Sequence, residues 1–179
     1  LVLIAAYIGI FSRERQNGTA TLIYVRPVSF TAMYASKWMV ASIIAMISAI
    51  AGYAGSMYYT ALLYGTVDWM KFFAMLGTYC LWLLFVMAVT VAMSAAFNTS
   101  IAAAVTIVII SLGLFIDSLF GAFWSVTPWK LANYGIALLT DSMLLKTYWL
   151  TVLMVVGLTI LSIILGIVMS RKNMGQLKI

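Results

Sequence analysis

Hydrophobic positions along this chain come in long unbroken runs, and the polar positions collect in a few short breaks between them. From Trp38 to Tyr64 no residue is charged, and "GTVDWMK" then supplies Gly65, Asp68 and Lys71 as a turn. Phe72 through Ile116 is again free of charge but too long for one crossing. Its one cluster of helix-weakening polar residues, Asn98, Thr99 and Ser100, divides it into a helical hairpin. A last run from Tyr148 to Ser170 ends in "RKNMGQLKI". A helix rises about 1.5 Å per residue and the hydrocarbon core is about 30 Å thick, so roughly 20 apolar residues make one crossing. The pattern predicts an all-α, polytopic helical membrane protein with complete spans at 38–64, 72–97, 100–117 and 148–170. The opening "LVLIAAYIGIF" at 1–11 is about half a crossing. It reads as the end of a truncated span, so the expectation is a fragment with one partial and four complete transmembrane helices.

One stretch fits neither loop nor span. "SLFGAFWSVTPWKLANYGIALLT" is apolar and aromatic, yet it is interrupted by Gly121, Pro128, Lys130 and Asn133. It is too broken to cross, so 118–147 is expected to be a re-entrant or interfacial outer segment, with any backbone at membrane depth buried in protein. Asp117, just before it, is expected at the outer interface, where a carboxylate costs little.

Composition agrees with the pattern: charged residues are 8%, hydrophobic residues 65%, and the mean hydropathy is +1.13. The chain is a single transmembrane domain over 1–179 set in a lipid bilayer, with no room for a soluble catalytic domain. Small residues recur at packing intervals, as Ser48, Gly52 and Ser56, as Ala104, Ser111 and Ser118, and as Ser162, Gly166 and Ser170. Such seams let helix backbones approach closely in lipid, against a helix of the same chain or of a second copy.

Charge sets the expected orientation. The first break carries Arg13, Arg15, Arg26 and Lys37, and the tail at 171–179 carries Arg171, Lys172 and Lys178. Short basic loops stay in the cytoplasm, and four crossings return the chain to the side it left, so both segments, the C-terminus included, are expected there. Tyr58, Tyr59, Tyr64, Trp69, Phe72, Trp124, Trp129, Tyr148 and Trp149 then gather at outer ends as an interfacial belt. Seven of the ten cations are explained by topology, which leaves no signal for a nucleic-acid partner.

The chemical inventory excludes several enzyme classes. There is no His, so triads, imidazole-based zinc sites and His-ligated heme are ruled out in this chain. Cys80 stands alone in an uncharged run and is expected to be a buried, inert thiol. No phosphate-binding G-x-x-x-x-G-K-[ST] occurs, and Glu14, Asp68, Asp117 and Asp141 fall in four different segments. No catalytic site, metal or cofactor is expected.

The first break, 12–36, has an internal order beyond its charge. In "ERQNGTATLIYVRPVSFTAMYASKW" a carboxylate is followed by Gly-Thr, an apolar pair, a Pro, and a Lys at the foot of the next span. Residues 19–25, "TATLIYV", bounded by Gly18 and Pro27, could make about two helical turns with an apolar face, which suits docking in a groove. This order resembles the loop of ABC transporter permeases of the ABC-2 type, whose pattern runs Glu, Gly-Thr, Leu, Pro, Lys; here Arg26 stands where that family has a small or polar residue. The resemblance implies the membrane-spanning permease subunit of an ATP-driven exporter in a bacterial or archaeal plasma membrane. It further implies a separate ATP-binding cassette ATPase subunit as partner, and a second permease subunit in a homo- or heterodimer. Within that picture Glu14, Gly18, Thr19, Leu22, Ile23, Pro27 and Lys37 couple to the ATPase, while Thr106 and Ser111 border the substrate path. A non-transporting membrane anchor or sensor subunit is the alternative. A secondary transporter is disfavoured, because no complete span carries a charge or a Pro.

Overall fold

The computed structural model describes residues 2–16, 29–65, 68–120, 126–139 and 145–175. The helices are α1 (Val2–Tyr7), α2 (Gly9–Gln16), α3 (Phe30–Tyr64), α4 (Trp69–Ala96), α5 (Thr99–Phe120), α6 (Lys130–Leu139) and α7 (Leu145–Gly175). The fold is all-helical. Among the described residues four helices are long and apolar enough to cross a membrane, over Thr31–Leu63, Trp69–Ala96, Thr99–Phe120 and Thr147–Lys172.

Local chemistry explains the helix ends. Ser29 caps α3, its hydroxyl accepting from the Ala32 amide at 3.3 Å. Gly65 ends the same helix at φ 76°, a left-handed position that a side chain would strain, and its amide donates to Ala61 O at 3.0 Å. Asp68 opens α4 by accepting from the Met70 and Lys71 amides at 3.1 and 3.3 Å. α4 and α5 are separated by Phe97 and Asn98 alone.

α4 is the axis of the bundle and touches all six other helices. From Trp82 to Ala95 most of its side chains are buried, as a helix apolar on all sides should be when others surround it. The main core joins Ile4 and Ile8 to Trp82, Phe85, Val86 and Val89, with Ala102, Ile110, Leu131 and Val155 closing around them. Leu131 belongs to α6, so the 118–147 segment sends an apolar side chain into the bundle. Trp129 seats its indole on Gly113 so closely that a Cβ there would lie 1.9 Å from the ring. Thr127 donates its hydroxyl to the Asp117 carboxyl beside it, and both residues are buried. The fold thus encloses Asp117, with a donor supplied from the returning segment.

The three small-residue seams have different fates. Gly166 and Ser170 are buried, Gly166 against Tyr34 of α3, whereas Ala104, Ser111 and Ser118 face outward. Ser48, Gly52 and Ser56 line an open groove of about 420 Å³ with Tyr53, Met75 and Tyr79. Cys80 is half-buried rather than fully enclosed.

Candidate functional site at the base of the basic segment

Gly18, Thr19, Leu22, Ile23 and Pro27 lie outside the described residues. The two ends of their segment do not, and the fold brings them together. Glu14 on α2 and Lys37 on α3 form an ion pair. The Lys37 ammonium also donates to Ile10 O at 3.0 Å and lies 4.2 Å from the centroid of the Phe11 ring. One cation is thus held by a carboxylate, a carbonyl and an aromatic face, all from a single turn of α2. The pair is partly screened by solvent, with side-chain exposure of 16% for Lys37 and 34% for Glu14.

That turn of α2 is itself anchored in the bundle. The Phe11 amide, among the first-turn donors that a helix leaves unpaired, donates to Ser94 Oγ at 3.0 Å. Ser12 Oγ lies 2.8 Å from Thr99 Oγ1. Both contacts fall at the α4–α5 turn, so the base of the segment is bolted to the hairpin behind it.

Phe11 also stacks on Tyr34, ring centroids 5.6 Å apart and planes 20° from parallel. Tyr34 is fully buried, and its hydroxyl occupies the notch left by Gly166 on α7, where a Cβ would come within 2.1 Å of it. A continuous line of contacts therefore runs from Glu14 and Lys37 through Phe11 and Tyr34 to α7. Sequence reasoning found the first two residues and missed the others. The stripe Tyr34, Trp38, Ala41, Ala45, at turn spacing, carried the signal for the buried face of α3.

Thr106 and Ser111 do not share a face. Thr106 is buried, with its hydroxyl unpartnered among the described residues, while Ser111 faces outward beside the exposed Val108 and Leu112.

An all-helical bundle with four potential crossings, its basic segment clamped at the base by Glu14 and Lys37, defines a polytopic membrane protein. The chain belongs to the ABC-2 family of transporter proteins, whose model matches residues 1–117. It is also 36% identical over 103 residues to the "Uncharacterized transmembrane protein YxlG" of Bacillus subtilis (strain 168), a match that covers 58% of this chain and 40% of that relative. No solved structure matches the chain.

Proposed function

We propose that this chain is the membrane-spanning permease subunit of an ATP-driven exporter, coupled through residues 12–36 to a separate ATP-binding cassette ATPase. The observation that carries the reading is the clamp at Glu14 and Lys37, which ties the two ends of the segment to each other and, through the Phe11 bond to Ser94 and the Tyr34 contact with Gly166, to α4 and α7. A plain connection needs no such base. A segment that receives force from a docked partner does, because a floppy base would absorb the displacement instead of passing it on. On this reading Gly18, Thr19, Leu22, Ile23 and Pro27 form the docking element, a second permease subunit completes the pathway, and the outward face of α5 with Ser111 borders it. Thr106, on the inner face, supports the packing of α5 instead. ATP hydrolysis belongs to the partner, and the site lies in a cell membrane with the basic end and C-terminus in the cytoplasm.

The test is co-purification of the ATPase with a Leu22→Ser/Ile23→Ser variant at matched permease levels. Two apolar side chains seated in a groove contribute roughly 1.5 to 3 kcal/mol each, so partner binding should fall by an order of magnitude or more and transport with it. Every cation that sets topology stays in place. Arg13→Gln/Arg15→Gln should instead disturb insertion or expression and leave partner binding intact. Full retention of partner and transport by the Leu22/Ile23 variant would favour an anchor or sensor subunit.

A further inference from the structure

Four polar atoms near the clamp are buried with no hydrogen-bonding partner among the described residues: Tyr34 Oη, Trp38 Nε1 and Ser42 Oγ on α3, and Ser170 Oγ on α7. Residues 34, 38 and 42 are each one turn apart and so form one stripe. Tyr34 belongs to a buried cluster with Phe11, Val91 and Ala95, against which Trp38 of α3 and Ile163 and Ile167 of α7 pack. Ser170 is one turn beyond Gly166, the residue against which the Tyr34 hydroxyl presses.

Elsewhere in this bundle several hydroxyls find partners locally, although the Thr106 hydroxyl does not. Ser12, Thr90, Thr151 and Thr159 each donate to the carbonyl four residues back, at 2.7 to 3.2 Å. Ser42 and Ser170 have the same option and do not take it. Stranded polar atoms in an apolar seam raise the free energy of the packed arrangement and leave any arrangement that wets them unaffected. Four of them carried by α3 and α7, with Tyr34 wedged directly between the two, tilt that pair toward opening, while the packing of Ile163 and Ile167 against the Tyr34 cluster holds it shut.

We propose that the α3–α7 seam at the basic end is a gate, closed in this structure and poised to open, with water reaching Tyr34, Trp38, Ser42 and Ser170 when the two helices part. The gate rests on the coupling reading only for what drives it. Lys37 is one turn from Tyr34 on α3, and Phe11 touches both, so a pull on the segment base acts on the residue that wedges α7.

The experiment uses the full-length permease in liposomes, in a Cys80→Ser background, with Ser42→Cys or Ser170→Cys introduced singly. A charged methanethiosulfonate reagent is supplied to both faces of the membrane, and the modification rate is read. Tyr34→Phe removes one oxygen and keeps the ring stacked on Phe11, so the closed seam no longer strands that hydroxyl. Both cysteines should then react about tenfold more slowly, which corresponds to about 1.4 kcal/mol. Gly166→Ala places a methyl where the Tyr34 hydroxyl sits and should raise both rates by a similar factor. If that variant does not fold, Tyr34→Phe still decides. Unchanged rates in Tyr34→Phe, or rates at the two cysteines that move in opposite directions, overturn the gate. Faster modification on adding the ATPase with ATP would identify it as the driver. If Tyr34→Phe slows labelling while the ATPase changes nothing, the gate stands and the coupling reading falls.

Discussion

Lys37 shows how one residue can hold two helices without a deep, fully desolvated pair. Its ion pair with Glu14 is partly exposed, and such pairs contribute about 1 kcal/mol or less. The bond to Ile10 O and the position over Phe11 add terms that do not depend on the carboxylate. Lys37→Met should therefore destabilise the purified protein by roughly 1.5 to 3 kcal/mol, and Glu14→Gln by about 1 kcal/mol or less. Thermal midpoints of both single variants and the double variant, at fixed ionic strength, give the coupling directly. Equal losses would mean that the carboxylate is the whole of the clamp. Gly113 makes a second residue-scale case, because the atom its Cβ would meet belongs to a rigid indole rather than a flexible tip. Gly113→Ala should cost about 1 to 3 kcal/mol through overpacking, and Trp129→Ala should recover part of that loss in the double variant. Gly52→Ala, with nothing within 4 Å of the added carbon, should be neutral by comparison.

At the scale of elements, the segment returning from α5 is fastened at Asp117 by a hydroxyl from Thr127 and at Gly113 by Trp129. Thr127→Val keeps the shape and removes a hydrogen bond to a buried carboxyl, a change of roughly 1 to 3 kcal/mol. The segment should loosen, so a cysteine at Leu131, buried at 1% exposure, should be modified several-fold faster in Thr127→Val than in its parent, both in Cys80→Ser. An unchanged rate would show that packing at Trp129 alone holds the segment. These same elements mark what could be read beforehand. The turns at Gly65–Asp68 and at Asn98 were legible because their chemistry is local: a left-handed glycine, a capping aspartate, polar residues in an apolar run. The start of α3 was not. Charge counting placed Lys37 at the foot of the helix, but Glu14 and Ile10 O receive that charge and the helix continues back to Phe30. Ser29, a capping residue before an apolar stretch, was the overlooked signal. Thr106 and Ser111 were paired by analogy, although five positions on a helix, at about 100° each, already separate them by more than a third of a turn. The contact of Tyr34 with Gly166 joins positions far apart in the chain, and no periodicity within either helix encodes it.

For the whole molecule, the described cations of the two basic stretches, Arg13 and Lys37 in one and Arg171 and Lys172 in the other, lie at the same end of the bundle, and this follows from contacts rather than from counting crossings. Arg171 and Lys172 are exposed just past Ser170, one turn from Gly166, and Gly166 receives Tyr34, three residues before the clamped Lys37. The helix ends away from this cluster expose Tyr58, Tyr59, Trp69 and Trp149, all 59% to 68% accessible. Rings with polar edges suit the lipid headgroup region, and the cation-rich end suits the cytoplasm, because Lys and Arg in short segments resist translocation. The expected orientation therefore puts Met70 and Asn133 outside and Thr19 inside. Single cysteines at Met70 and Asn133, in Cys80→Ser, should react with a membrane-impermeant thiol reagent in intact cells. A cysteine at Thr19 should react only after permeabilisation. Met70 is a suitable reporter because it is 81% exposed and, unlike Asp68, caps nothing. Labelling of the Thr19 site from outside would place the basic segment away from cytoplasmic ATP, so no cytoplasmic ATPase could dock on it. The clamp at Glu14 and Lys37 would then have to serve a partner on the outer face.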